Sequence, residues 1–195
     1  MPQSPLDYLR GALPPPPAAP KKNLPESLNG PLNLPAHPPV RVNDPSGKLT
    51  GSYDGGLLRN IAQQAKLEGV DPLTALALSG QESTFGRYDK DNPLQLSPSS
   101  GISTGGLEPM AAQSQLIQRS LNYFKNRTNR QRSQTPHDEE LILQSYNGLG
   151  KVPKGHYAEG SNMTGAQDKP YGKAVMGIRD LLKSSPDILN LIKGK

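Results

Sequence analysis

The stretch AKLEGVDPLTALALSGQESTFG, residues 65–86, decides the fold because it holds the junction between two helices and most of the second one. Gly69 is expected to end the first helix, since glycine readily adopts the left-handed backbone that follows a helix. Asp71 and Pro72 then form a start signal, an N-cap side chain followed by proline at the first helical position. The second helix is predicted to run through Leu73–Glu82.

The helical pattern extends to both sides of this stretch. The first helix carries one apolar stripe, which consists of Leu57, Leu58, Ile61, Ala62 and Ala65. Three more helices are predicted: one near 108–127, one from the Thr135-Pro136 cap to Gly148, and one over Tyr171–Leu182. Pro186–Lys193 is a candidate for a sixth, and no alternating strand pattern is found. The predicted fold class is therefore mainly α, with five to six helices.

The first fifty residues differ in composition from the rest. They hold thirteen of the 21 prolines, among them the run Pro14–Pro17. Proline fixes φ and lacks a donor, so this segment favours polyproline II and turns over packed structure. We predict an arm over residues 1–50, disordered or bound to a partner, and a helical domain over residues 51–195. The arm is either an inert tether or a Pro-rich recognition segment.

Charge and composition narrow the classes of function. The net charge of +5 and the pI of about 9.4 favour acidic partners, or simply solubility. A basic cluster, Lys125, Arg127, Arg130 and Arg132, could contact phosphates or teichoic-acid-like polymers, or be a solvated helix end. There is no cysteine, and the three histidines are far apart, so neither a metal site nor a cofactor is expected. No signal peptide and no apolar run of about 18 residues is found.

Glu82 is the clearest candidate for a catalytic residue. It stands where an apolar helix is about to end, and burying a carboxylate costs free energy unless it is paired. Desolvation by neighbours such as Phe85 would raise its pKa, which is what a general acid near neutral pH needs. An ordinary solvated glutamate is the alternative interpretation.

Four short motifs in order change the balance between these interpretations. They are the opening stretch at 65–86, NPLQLSP at 92–98, LQSYNGLG at 143–150 and PYGKAVMGIRDLL at 170–182. Together they resemble the soluble lytic transglycosylase family of the lysozyme-like superfamily, and the third is similar to phage-encoded members. The resemblance covers about residues 55–183 and implies a lysozyme-like helical domain.

The resemblance assigns roles to five residues. Glu82 matches the single catalytic acid, and Ser83 the serine that helps to orient the substrate or the acid. Gln95 matches a glutamine that lines the cleft. Tyr146 matches the tyrosine near the acid, and Asn147 the asparagine that holds its motif together. The interval of 13 residues from Glu82 to Gln95 is shorter than the family's, so the cleft floor is expected to differ.

The implied activity is cleavage of the bond between N-acetylmuramic acid and N-acetylglucosamine in peptidoglycan, with a 1,6-anhydro product. Hydrolysis of the goose-lysozyme type, with Asp89 or Asp91 activating water, is one alternative. A non-catalytic virion or wall-binding protein is the other. We expect a phage virion protein that acts in the host periplasm or cell wall during genome entry. Its expected partners are glycan strands and, through the arm, other virion or tail proteins; nucleic acid is not expected.

Overall fold

The computed structural model describes residues 37–95, 109–147 and 171–194, and the predicted arm up to residue 36 lies outside these ranges. Within them the chain forms two strands and six helices. They are β1 (Val40–Val42), β2 (Gly51–Tyr53), α1 (Gly55–Glu68), α2 (Pro72–Ser83), α3 (Pro109–Gln134), α4 (Glu139–Asn147), α5 (Tyr171–Lys183) and α6 (Pro186–Lys193). The mainly helical class is confirmed, and so is the sixth helix. None of the described helices combines the length and the apolar character that crossing a membrane requires.

A small two-stranded sheet, which no pattern in the sequence indicated, precedes the helices. β1 and β2 pair antiparallel, with Val40 opposite Tyr53 and Val42 opposite Gly51. Each strand has only three residues, which is too short for an alternating pattern to be recognised in the sequence. Val40, Val42 and Leu49 are all buried in the core, so the packed part of the chain begins before residue 51.

The junction between α1 and α2 forms as the sequence predicts. Gly69 is left-handed, with φ 69°, and its amide donates to the carbonyls of Ala65 and Lys66. The Asp71 side chain accepts a hydrogen bond of 3.0 Å from the amide of Thr74, which caps the N-terminus of α2. The two caps therefore fix where α1 ends and where α2 begins.

Helix α2 is the centre of the domain. It packs against α1 on one side and α5 on the other, and every residue from Thr74 to Gln81 is buried. A helix that is buried on most sides must carry small and apolar residues all round, as this one does. The largest fully buried side chains among the described residues are Leu49, Leu58, Ile61, Leu76, Leu78, Phe85, Leu94, Ile117, Leu121, Ile142, Leu143 and Tyr171.

Helices α3 and α4 differ from their predicted bounds. α3 continues to Gln134, seven residues beyond the predicted end, because its basic second half remains helical. α4 starts at Glu139 rather than directly after Thr135-Pro136. The Asp138 side chain caps it, accepting a bond of 2.9 Å from the amide of Leu141. Thr135 instead closes a turn, in which its carbonyl accepts from the Asp138 amide.

Helices α4 and α5 approach each other closely at Gly172. A Cβ atom at this position would overlap the carbonyl oxygen of Glu140 and lie 3.1 Å from the amide nitrogen of Gln144. The amide of Gly172 donates a hydrogen bond of 3.0 Å to the side-chain oxygen of Gln144, which is buried. This contact holds the first turn of α5, and with it Tyr171, against α4.

Candidate active site

Glu82 is the last residue but one of α2, and it stands between the buried Gln81 and Ser83. Its side chain is partly buried, and its Oε1 accepts a hydrogen bond of 2.6 Å from the hydroxyl of Tyr171. The two residues are 89 positions apart in the sequence, and the packing of α5 on α2 brings them together.

Burial raises the pKa of Glu82 from its usual 4.5 to about 7. The hydrogen bond from Tyr171 acts in the opposite direction, because it stabilises the carboxylate, but its effect is smaller than that of burial. With a pKa near 7, comparable fractions of the carboxyl are protonated and ionised at neutral pH. Such a group can donate a proton and later accept one.

Tyr171 is the partner that the sequence did not reveal. It opens α5, is fully buried, and keeps its proton, since burial and the charge of Glu82 raise the pKa of its hydroxyl well above 10. The motif PYGKAV contains it, but nothing local in that motif indicates which side chain it would contact. The hydroxyl therefore keeps the proton that it donates to the Glu82 carboxylate, and this bond orients the carboxyl.

Tyr146 lies in the same aromatic cluster but uses its hydroxyl elsewhere. Its ring centroid is 6.3 Å from that of Tyr171, and burial and the nearby charge of Glu82 raise its pKa. The hydroxyl donates a bond of 2.8 Å to the carbonyl of Leu94. Tyr146 thus ties α4 to the loop that follows Glu82, whereas Tyr171 bonds the acid itself.

Ser83 is fully buried, and its hydroxyl is engaged by the backbone. It donates to the carbonyl of Pro93 over 2.8 Å and accepts from the amide of Gly86 over 2.8 Å. These bonds fasten the returning loop to the end of α2 beside Glu82. In this arrangement Ser83 positions the loop.

The three residues after Ser83 all have left-handed backbones. Thr84, Phe85 and Gly86 have φ values of 52°, 58° and 81°. Only glycine adopts this conformation freely, and a β-branched or bulky residue there is strained by about 1–3 kcal/mol. The Phe85 ring compensates, since it is buried 4.8 Å from the ring of Tyr53 and against Gly80. The end of α2 is thus held in one shape at an energetic cost, as functional sites often are.

The strain at Thr84 can be measured by comparing two substitutions. Thr84→Gly is expected to give a free energy of unfolding about 1 kcal/mol higher than Thr84→Ala, because both remove the hydroxyl and methyl but only alanine retains the left-handed penalty. Urea denaturation of the two variants measures the difference. Equal midpoints would mean that the backbone at this residue is not left-handed.

Gln95 and Asp89 are bonded to each other in the loop that follows α2. The Gln95 side-chain amide donates 3.1 Å bonds to the Asp89 carboxylate and to the Asn92 carbonyl. The other Asp89 oxygen accepts from the amides of Asp91 and Asn92. Both oxygens of Asp89 are therefore occupied by the loop. Gln95 and Asp91 are exposed.

Asn147 is the last residue of α4 and is exposed. The structure thus brings Glu82 and Ser83 together with the loop that contains Gln95, and it places Tyr146 between that loop and Tyr171. In the three described ranges, no three side chains of His, Asp or Glu lie close enough to hold a metal ion together.

Comparison with known proteins gave no match: no family model fits the chain, and no curated protein or solved structure is significantly similar to it.

Proposed function

We propose that this chain is a peptidoglycan lytic transglycosylase in which Glu82 is the sole acid and base. The observation that carries the proposal is the buried Glu82 carboxyl, whose pKa is about 7 and which Tyr171 holds through a bond of 2.6 Å. Cleavage of a glycosidic bond needs a proton on the leaving oxygen, and a carboxyl of this pKa supplies it near neutral pH. The resemblance of the sequence motifs around Glu82 to lytic transglycosylases supports peptidoglycan as the substrate class.

The proposed reaction uses one carboxyl twice. Protonated Glu82 gives its proton to the oxygen that links C1 of N-acetylmuramic acid to C4 of N-acetylglucosamine, and the C1–O bond breaks. The acetamido oxygen of the same muramic acid stabilises the positive charge at C1, as in substrate-assisted glycosidases. The Glu82 carboxylate then takes the proton of the C6 hydroxyl, whose oxygen bonds to C1. The product is a 1,6-anhydro sugar, and Glu82 ends protonated again.

The loop after Glu82 favours this route over hydrolysis. An inverting hydrolase needs a second carboxylate that is free to activate water. Both oxygens of Asp89 are engaged by loop amides and by Gln95. Asp91 is exposed in the same loop. The anhydro product is therefore the expected one, with the goose-lysozyme type of hydrolysis as the alternative outcome.

For the biological setting we propose a phage virion protein that opens the host wall locally during genome entry. The support for this setting is the phage-like form of the third motif, Tyr146–Gly150, in the sequence.

Mass spectrometry of a digest tests the proposed reaction. Purified sacculi are incubated with the full chain, and the released muropeptides are analysed with and without borohydride reduction. Products that end in 1,6-anhydromuramic acid, and that borohydride does not reduce, are expected. Reducible ends would assign hydrolysis instead, and no soluble product would favour the non-catalytic virion or wall-binding protein.

Tyr171→Phe is expected to change both the rate and its pH dependence. Loss of the hydrogen bond removes the one contact that lowers the pKa of Glu82, so this pKa rises further above 7. Activity requires protonated Glu82 and is lost as pH rises through its pKa, so the alkaline limb of kcat moves to higher pH. At the optimum, kcat falls roughly ten- to a hundredfold, because the carboxyl is less well oriented.

Tyr146→Phe is the matched control for this prediction. It removes an equivalent hydroxyl from the same aromatic cluster but leaves the bond between Tyr171 and Glu82 in place. Its alkaline limb is expected to stay where it is in the wild type. A limb that does not move in Tyr171→Phe would contradict the role of Tyr171.

A further inference from the structure

The cations of the second half of α3 are divided between two faces of the helix. On one face, Lys125 donates to the carbonyl of Glu68 over 2.7 Å, and Arg132 lies 3.5 Å from the Glu139 carboxylate. These two cations contribute to the packing of α3 beside α1 and α4. The basic cluster seen in the sequence is therefore two groups with different surroundings.

The other face carries Tyr123, Arg127, Arg130 and Gln134. Their spacings of four, three and four residues place them in one row along the helix. Arg127 and Arg130 line a cavity of about 320 Å³ together with Gln131, Gln134 and Ser145. No carboxylate lines this cavity, and among the described side chains neither guanidinium forms a salt bridge. Two cations in one concavity without a counter-charge are suited to an anionic ligand.

A series of packed aromatic rings links Arg127, at this cavity, to Tyr171, which bonds Glu82. The Arg127 guanidinium lies 5.4 Å from the ring centroid of Tyr123. The ring of Tyr123 is 5.7 Å from that of Tyr146, which is 6.3 Å from that of Tyr171. Tyr123 is partly exposed at 37%, so it offers a face to a ligand as well as to Arg127. Tyr146 and Tyr171 are buried, so of these three rings Tyr123 is the one open to a ligand, and it lies beside Arg127 at the cavity.

We propose that Arg127 and Arg130 form a carboxylate-binding subsite for the polymer that Glu82 cleaves. The inference rests on the proposed function, because it takes the occupant to be the same wall strand. Such a strand carries carboxylates on its peptide stems, and on the lactyl group of any muramic acid whose stem has been removed, because an intact stem is joined to that group as an amide. A guanidinium binds a carboxylate with paired hydrogen bonds, and Tyr123 supports Arg127 from behind. The subsite would select anionic wall strands over neutral glycans.

Binding measurements on the full chain test the subsite without cleavage. The background is Glu82→Gln, and the double variant is Arg127→Gln with Arg130→Gln. The control is Arg41→Gln with Lys193→Gln, which removes the same charge from exposed positions on β1 and at the end of α6. Isothermal titration uses three ligands: glycan strands with peptide stems, amidase-treated strands that keep only the lactyl carboxylates, and neutral chitooligosaccharides.

The double variant is expected to bind strands with stems at least about tenfold more weakly than the Glu82→Gln background. The control pair is expected to bind these strands as the background does, and the affinity of the double variant for chitooligosaccharides is expected to stay unchanged. A loss confined to strands with stems assigns the peptide carboxylates, and a loss on amidase-treated strands as well means that the subsite also binds the lactyl carboxylates that removal of the stems exposes. An equal loss on the neutral ligand, or no loss on either strand, would overturn the subsite. So would a loss confined to duplex DNA in a parallel titration.

These outcomes are independent of whether the chain cleaves the wall. If wild type releases no muropeptide but strand binding still depends on Arg127 and Arg130, the proposed reaction fails and the subsite stands. If wild type releases anhydro products and the double variant binds strands as tightly as the control, the subsite fails and the reaction stands.

Discussion

Glu82→Gln is expected to lower the release of muropeptides from purified sacculi by at least a hundredfold. Glutamine fills nearly the same space, but its amide cannot give a proton to the glycosidic oxygen or take one from the C6 hydroxyl. General acid–base catalysis of this kind contributes about 10²–10⁴ in rate, and here one group would act in both steps. Release is followed by chromatography of the soluble muropeptides with wild type and variant at equal concentration. Equal rates for the two proteins would refute the proposed role of Glu82.

The stability of the same variant provides its control and a second measure of the environment of Glu82. The folded pKa of about 7 lies above the usual 4.5, so the folded state binds the proton more tightly than the unfolded chain. The contribution of this proton to the free energy of unfolding of wild type is fully present below pH 4.5 and is lost as the pH rises to 7. Glutamine stays neutral at every pH. The difference in free energy of unfolding between Glu82→Gln and wild type is therefore expected to shift by about 3 kcal/mol in favour of the variant from pH 4.5 to pH 8.

Urea denaturation at pH 4.5, 6 and 8 measures this gain. A variant that is more stable than wild type at pH 8 and yet inactive must have lost chemistry rather than structure. A difference between the two proteins that does not change with pH would mean that Glu82 is solvated, and the general-acid proposal would lose its basis.

The helices around the site could be predicted because their ends are marked by capping residues in the sequence. Gly69, Asp71 and Pro72 act on the backbone within a few residues, so the end of α1 and the start of α2 follow from chemistry that the sequence displays directly. β1 and β2 carry no such signal, because three-residue strands are held by pairing with each other and by burial of Val40 and Tyr53. Pro136 resembled a helix start, but Asp138 provided the better cap.

The site shows the same division between local and distant determinants. Glu82 could be selected as a candidate, because an apolar helix that ends in a carboxylate is visible in the sequence. Tyr171 could not, because its contact with Glu82 depends on how α5 packs on α2, and that packing joins residues 89 positions apart. Ser83 was noticed as the neighbour of the acid, but its bond to the Pro93 carbonyl becomes apparent only when the loop folds back.

Gly172→Ala is expected to lower the free energy of unfolding by about 2–3 kcal/mol. The new methyl group would overlap the Glu140 carbonyl, and backbone atoms cannot move aside as a side-chain end can. α4 and α5 must separate, which weakens the bond from the Gly172 amide to the buried Gln144 side chain. Helix propensity acts in the opposite direction, since alanine in a helix is favoured over glycine by up to about 1 kcal/mol. The sign of the result therefore distinguishes close packing from propensity.

Lys173→Ala is the matched control, since Lys173 is the next residue of α5 and is exposed. Its free energy of unfolding is expected to stay within about 0.5 kcal/mol of wild type. Because Tyr171 immediately precedes Gly172, separation of the helices also shifts the hydroxyl that bonds Glu82, so Gly172→Ala is expected to lower kcat even at temperatures where it remains folded. Urea midpoints and muropeptide release are measured on all three proteins. A variant as stable as wild type would show that α4 and α5 are not in close contact at this residue, and the placement of Tyr171 against Glu82 would lose its main structural support.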